Sequence, residues 1–360
     1  MKINNAYPSA IADLHRWYNL NKRELPWRST KDPYFIWISE VILQQTRVVQ
    51  GLPYYYKFIE LFPTVADLAA ATEQEVLHCW QGLGYYSRAR NMHATAKMVM
   101  ERFGGNFPFS YNDLIALKGI GPYTAAAVAS FAANENVAVV DGNVMRVLAR
   151  WQNIHSDIAL EKTKKEFQTI ADNLLPKGKS AVHNQAMMEL GALICTPQSP
   201  KCERCPVAYE CKALEMSTIN VLPVKSKKVK PRERFFNYIV FRSRQKYWMK
   251  ERDKDDIWAG LWDFYLLETD KEVERLDELL LEKEIVQEVS DVSVSALQKH
   301  QLTHQTLRVK YFVMNVSEKI TSALKDKNLV LLDKIEISSK PKPILINKFF
   351  SEHNLYKFDP

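Results

Sequence analysis

The stretch Leu114–Asp141, LIALKGIGPYTAAAVASFAANENVAVVD, constrains this chain more than any other. A short helical run has to turn at Lys118-Gly119-Ile120-Gly121 and re-enter a helix at Pro122. Two glycines permit a tight turn that leaves backbone N–H groups uncovered. Proline suits the first helical position, and the alanine-rich run behind it is a good helix former. A helix start beside a Gly-x-Gly turn can seat a phosphate. The apolar run Val137–Val140 then delivers Asp141 just ahead of a second helical run, Val144–Trp151. Two readings stand side by side: an ordinary helix pair with Asp141 as an N-cap, or a phosphate seat with a carboxylate brought beside it.

The sharpest local spacing lies further on. Cys195, Cys202, Cys205 and Cys211 read C-x6-C-x2-C-x5-C. Four thiolates so close in sequence can converge on one centre, and such sets hold zinc or an iron–sulfur cluster. The spacing does not choose, although zinc sites more often pair two C-x2-C units. The fifth cysteine, Cys79, sits in an apolar window and reads as a core thiol. Five cysteines, four of them clustered, do not make a secreted disulfide framework.

At 360 residues the chain has the length of two domains. A composition of 46% hydrophobic and 25% charged residues is that of a soluble globular protein. The net charge of +7 favours a polyanionic partner. No apolar run is long enough for a membrane span, and the N-terminus lacks a signal core, so a cytoplasmic location is expected.

Residues 1–30 read as a helix with Ser9 as N-cap and Leu20 near its end. Pro33–Gln50, PYFIWISEVILQQTRVVQ, reads as one amphipathic helix. Glu40 in it has Ile36, Trp37, Leu43 and Gln44 one turn away, so either it lies at the edge of the stripe or its carboxyl loses hydration and its pKa rises. WQGLGYYSRAR (Trp80–Arg90) interleaves Tyr85 and Tyr86 with Arg88, Arg90 and glycines. That suits a loop that wedges into or stacks on nucleic acid, or core tyrosines flanked by solvated arginines. A charged helix is expected near Leu160–Leu174 and an apolar one over NQAMMELGALICT. Residues 217–234 form a basic linker, either a solvated connector or a strap on DNA. Beyond Phe235, FFNYIVF, KYWMKER, DFYLLE and LRVKYFVMNV are strand-like, with a charged helix over Lys271–Val286 among them, which indicates a separate α+β domain.

The motifs LPW, SEVILQQTRV, FPTVADLA, GLGYYSRARN, LKGIGPYTA, VDGNVMRVLAR and NQAMMELGALICT, with the four cysteines, together resemble the adenine DNA glycosylases of the MutY type, in the endonuclease III (helix-hairpin-helix) superfamily. The resemblance implies a mainly α N-terminal domain over 1–216. It would comprise a six-helix subdomain near 30–133 and a cluster subdomain of the N-terminal helix with 134–216. A linker at 217–234 and a MutT-like (Nudix-like) α+β domain at 235–360 would follow. It implies one [4Fe–4S] cluster on Cys195, Cys202, Cys205 and Cys211. The implied substrate is duplex DNA with adenine opposite 8-oxoguanine or G. Two domains wrapping the DNA make a monomer the expectation, associated in a bacterium with the nucleoid. Base excision needs the adenine outside the stack.

By the same resemblance Glu40 protonates the adenine ring, Asp141 stabilises the oxocarbenium-like sugar or adds to it, and water activated with help from Glu40 completes hydrolysis. Asn143 and Glu189 fall at supporting positions. Gln45 and Tyr85 fill the vacated stack and probe the opposite base, within the matching stretches that also carry Thr46, Arg47, Tyr86 and Arg88. Lys118, Gly119 and Gly121 grip phosphate in the hairpin. Strand-cutting relatives carry a lysine where this chain has Tyr123. A phenol forms no imine with the sugar, so glycosylase action without lyase action is expected. WAGLWDF (Trp258–Phe264) matches the second domain's glycine-leucine-tryptophan stretch, and the lesion-reading loop, usually Phe-Ser-His, reads Leu302-Thr303-His304 here. No Nudix box follows, so nucleotide hydrolysis is not expected.

Overall fold

The structure is a computed structural model, described over residues 8–226, 231–253, 256–279 and 289–352. Backbone contacts divide the chain into two compact units, Met1–Ala70 with Asn91–Lys227, and Ala71–Arg90 with Lys228–Pro360. By this division the segment Ala71–Arg90 groups with the C-terminal residues.

The first unit is helical. Helix α1 (Pro8–Asn21) ends one residue past Leu20, where its end is expected, and Ser9 lies inside its first turn. Leu25 is extended ahead of Pro26, as the residue before proline tends to be, and Pro26–Arg28 forms a 3-10 turn. Helix α2 (Pro33–Leu43) starts at an Asp32 cap whose side chain accepts from the N–H of Tyr34. The single helix expected from Pro33 to Gln50 is broken: Gln45 takes φ 57°, and α3 (Val48–Leu61) begins beyond it. Helix α2 is buried from Ile36 to Ile42, because PYFIWISEVIL is apolar on every side, and it packs against α3 and α8. Helix α4 (Val65–Ala70) ends this first part.

Helix α6 (Ser87–Phe103) leads to α7 (Tyr111–Ile115), the hairpin turn and α8 (Pro122–Ala133). At the turn Gly119 has φ 78°, and a Cβ there would lie 2.5 Å from Cβ of Asn91 on α6. Left-handed backbone and close approach both require glycine. The run 137–140, outside any helix or strand, connects to α9 (Gly142–Trp151), followed by α10 (Glu161–Leu174), α11 (Ser180–Leu193) and the short α12 (Lys212–Glu215). One buried core joins Ala10, Leu14 and Tyr18 of α1 to Val144, Val147, Leu148, Phe167 and Leu190. Residues 217–226 of the expected linker are docked rather than solvated: Leu222 is buried, and the carbonyls of Ile219 and Leu222 accept from the buried Arg150 guanidinium.

The second unit contains α5 (Glu73–Cys79), with a Thr72–Glu75 capping box, and a mixed sheet. Its strands are β1 (Arg232–Ser243), β2 (Lys246–Glu251), β3 (Trp262–Asp263), β4 (Tyr265–Thr269), β5 (Val289–Val294), β6 (Gln298–Gln301), β7 (Gln305–Val316) and β8 (Val330–Leu332). Strands β1 and β7 run parallel through the centre, and the other pairings are antiparallel. Alternation along the central strands builds a core on each face. Phe236, Tyr238, Leu307, Val309 and Tyr311 meet α14 (Lys334–Ser339) and α15 (Ile344–Glu352), while Ile239, Phe241, Phe312 and Met314 lie on the face of α13 (Thr321–Asp326). The four strand-like runs are strands. The helix expected over Lys271–Val286 is a 3-10 turn at Leu276–Glu278, and its remainder from residue 280 lies outside the described residues.

Candidate active site and cysteine centre

Glu40 lies on the third turn of α2 and is 5% exposed. Its Oε2 accepts a 2.6 Å hydrogen bond from the hydroxyl of Tyr123, in the first turn of α8. Burial raises its carboxyl to about 7. The Tyr123 hydrogen bond and the charge of Arg28 oppose that rise, and the charge of Asp141 adds to it. Burial likewise pushes the Tyr123 phenol well up, so it stays a donor.

Asp141 caps α9. Its Oδ1 accepts from the N–H of Val144 at 2.7 Å and its Oδ2 from Nδ2 of Asn143 at 2.7 Å. Burial raises this carboxyl too, but these two donors and Arg146 favour its anion. The N-cap reading of Asp141 is therefore correct, and capping leaves it beside Glu40. The two carboxyls have unlike surroundings, one held by a phenol in an apolar wall and one held by amides at a helix start.

Glu189 on α11 is fully buried and accepts paired bonds from Arg23 and Arg28, with Arg–carboxylate distances of 2.7 Å. Burial alone would raise it, but the two arginines outweigh that and hold it near 2. It reaches the site through Arg28, whose charge also acts on Glu40. Sequence reasoning missed both arginines, because nothing local to LNKRELPWR points across to α11.

The hairpin exposes Lys118, Gly119 and Gly121, and Gly121 caps α8 without a side-chain bond. The break after α2 exposes Gln45 and Arg47, with Thr46 half-buried.

In the second unit the tyrosine loop shows one ring and hides the other. Tyr85, with φ 48°, is 40% exposed, and its hydroxyl meets that of Thr303. Tyr86 is buried and accepts from the N–H of Gly82, and Arg88 is buried over the Trp80 ring, donating to the carbonyl of Gly84. The structure thus turns Tyr86 and Arg88 inward, where they brace the loop that presents Tyr85. A cavity of about 380 Å³ is lined by Tyr85, Trp258, Leu302, Thr303 and His304. Thr303 and His304 are exposed, and Leu302 is half-buried against the sheet core.

Cys195, Cys202, Cys205 and Cys211 form no disulfide. Burial raises Cys202, Cys205 and Cys211, and charge on neighbouring cysteines raises them further, so the four thiols of the loop feel one another. Arg150 donates to Sγ of Cys195 and to the carbonyl of Thr196, which supplies positive charge for a thiolate set. Among the described residues no three His, Cys, Asp or Glu side chains gather as ligands of one metal ion. A four-iron cluster takes one thiolate at each iron, and the four cysteines of this loop, with the Arg150 guanidinium on Sγ of Cys195, supply such a set. Arg146 joins this loop to the carboxylate, donating to the carbonyl of Cys195 and to Oδ1 of Asn143.

Comparison with known proteins agrees with this geometry. Residues 38–175 match the HhH-GPD superfamily base excision DNA repair proteins, 195–211 the iron-sulfur binding domain of endonuclease III, and 237–352 the NUDIX domain. The adenine DNA glycosylase of Buchnera aphidicola from Schizaphis graminum is 36% identical over 249 residues, covering 69% of this chain and 72% of that one. That of Buchnera aphidicola from Baizongia pistaciae is 34% identical, covering 81% and 82%. The chain belongs to the adenine DNA glycosylases.

The human adenine DNA glycosylase is 42% identical over 206 residues, covering 55% of this chain and 38% of its own. A thermostable thymine-DNA glycosylase superposes with a TM-score of 0.52 at 30% identity, over 57% of this chain and 95% of its own. A trapped endonuclease III–DNA intermediate, at 22% identity and TM-score 0.51 over 58% and 95%, shares the fold. As an adenine DNA glycosylase the chain is an enzyme of base excision repair that carries one [4Fe–4S] cluster on the cysteine loop. When bound, the cluster cross-links residues 195–211 into one rigid loop.

Proposed function

We propose that this adenine DNA glycosylase hydrolyses adenine from mispairs with 8-oxoguanine, and with G, without cutting the strand. The buried Glu40, held by Tyr123 beside Asp141, carries the reading. At neutral pH a carboxyl near 7 is about half protonated, so it donates a proton to a ring nitrogen of the flipped adenine. The C1′–N9 bond then breaks with its electron pair leaving on adenine. Positive charge builds on the sugar, and the Asp141 carboxylate stabilises it. Water adds at C1′ and passes its proton to the now ionised Glu40. Asn143 orients Asp141, and Glu189 fixes Arg28 beside Glu40. Tyr123 cannot form an imine, and Lys118 sits exposed on the turn, where phosphate contact is its role.

The opposite base is read by Tyr85 with Thr303 and His304 at the rim of their shared cavity, while Gln45, Thr46 and Arg47 enter the duplex from the break after α2. The protein acts as a monomer in the cytoplasm, on the nucleoid in a bacterium. No helix among the described residues is long and apolar enough to cross a membrane.

The test is a single-turnover assay on a duplex with one A:8-oxoguanine pair, alongside A:G, with and without alkali. Breaks that need alkali support hydrolysis without lyase action, whereas breaks without it refute that part. Thr303→Ala narrows the rate ratio between the two pairs, and an unchanged ratio removes Thr303 from base reading.

A further inference from the structure

Residues 137–140 carry Asp141 into place without belonging to a helix or strand, and no strand among the described residues pairs with them. Side chains meet their backbone groups instead. The carbonyl of Val137 accepts from Nδ2 of Asn184 at 2.9 Å, and the N–H of Val139 donates to Oδ1 of the same amide at 3.0 Å. Ala138, facing the other way, donates to Oδ1 of Asp172 at 3.1 Å and accepts from Nε2 of Gln168 at 3.0 Å. In a parallel ladder one residue serves its neighbour in this way, meeting a C=O and the N–H two positions on. The carboxamide of Asn184 thus replaces a peptide group of a missing strand. Its orientation follows from its partners, since a backbone N–H needs an acceptor and a carbonyl a donor. The other amide hydrogen goes to Oγ of Ser130 on α8 at 2.8 Å. Asn184 is 2% exposed and Ser130 fully buried. Helix α8 also carries Tyr123, which holds Glu40. A single buried side chain therefore ties the helix behind Glu40 to the run ahead of Asp141.

We propose that Asn184 is a positioning residue for base excision: it sets Asp141 relative to Glu40 and Tyr123 without touching DNA. The proposal rests on the reading of Asp141 and Glu40 above. Misplacing a reacting group by about 1 Å costs on the order of a hundredfold in rate. Asn184→Asp keeps an acceptor for Val139 but sets a carboxylate oxygen against the carbonyl of Val137, and the Ser130 hydroxyl has to turn from acceptor to donor. Gln168→Ala, at a half-buried position, removes the donor to the carbonyl of Ala138 and to Oδ1 of Asp172.

Single-turnover excision and DNA affinity are measured on the A:8-oxoguanine duplex for the wild type, Asn184→Asp, Gln168→Ala, Asp141→Asn and, as a destabilised control, Leu14→Ala in the α1 core. Asn184→Asp is expected to slow excision of bound DNA at least about thirtyfold, and Gln168→Ala about three- to tenfold, with Kd within about threefold of wild type. Leu14→Ala, compared per folded molecule, keeps the wild-type rate. A loss of threefold or less in Asn184→Asp, or a loss matching that of Leu14→Ala, overturns the proposal. If Asn184→Asp does not fold, an unchanged rate in Gln168→Ala overturns it. A wild type without excision, or a full rate in Asp141→Asn, overturns instead the reading beneath it, and the proposal with it.

Discussion

Glu40 makes the active site costly to fold above neutral pH, and Glu40→Gln should expose that cost. The carboxyl lies at 4.5 when free and about 7 in the folded protein. A group raised on folding favours the native state fully below its unfolded value, and that advantage is lost as pH rises through the folded value. The window is therefore about 4.5 to 7, and above it the native state carries a buried charge. At roughly 1.4 kcal/mol per tenfold, the penalty is about 3 kcal/mol at pH 8 and about 1 kcal/mol at pH 5. Glutamine is isosteric, carries no charge and still accepts from Tyr123, so the variant is more stable than wild type by those amounts. For a helical unit of about 200 residues, about 2–4 °C per kcal/mol puts the gain in Tm near 6–12 °C at pH 8 and near 2–4 °C at pH 5. Thermal melts at the two pH values, with single-turnover excision on the same preparations, measure both sides of the exchange. Excision is lost at both. A gain in Tm that is equal at pH 5 and pH 8, or a variant less stable at pH 8, refutes the burial argument.

Tyr123→Phe removes a hydrogen bond that favours the ionised form of Glu40, so the carboxyl rises further and the alkaline limb of the excision profile moves to higher pH. Single-turnover rates across that limb check it, and an unmoved limb counts against Glu40 as the acid. Gly191→Ala would set a Cβ 2.7 Å from Cβ of Asn143 and 3.0 Å from its carbonyl oxygen. The clash forces α9 and α11 apart, costs about 1–3 kcal/mol in a thermal melt, and slows excision because Asn143 holds Asp141. Cys202→Ser removes one cluster ligand; iron per chain falls, and limited proteolysis cuts within 195–211 where the wild type resists.

The local grammar of this fold is legible in the chain. Gly119 and Gly121 set the hairpin, Pro122 and the alanines start α8, Asp141 caps α9, and four spaced cysteines mark the cluster loop, because each of these depends on a residue's own backbone preference or on short-range spacing. The strands of the second unit were legible as runs rich in aromatic and β-branched residues. Helix boundaries were less so. PYFIWISEVILQQTRVVQ carries no glycine or internal proline to announce the break at Gln45.

Tertiary structure alone decided what surrounds those residues. Glu40 could have lain at the edge of an amphipathic stripe, but α3 and α8 close around it, and that burial takes its carboxyl to about 7. Glu189 finds Arg23 and Arg28 more than 160 positions away in the chain. Tyr86 and Arg88 turn inward while Tyr85 stays out, although all three lie in one short motif. Asn184 serves a run it meets 45 residues from itself. Hydration, ion pairing and side-chain clamps depend on which distant elements meet, and no local preference along the chain encodes that meeting.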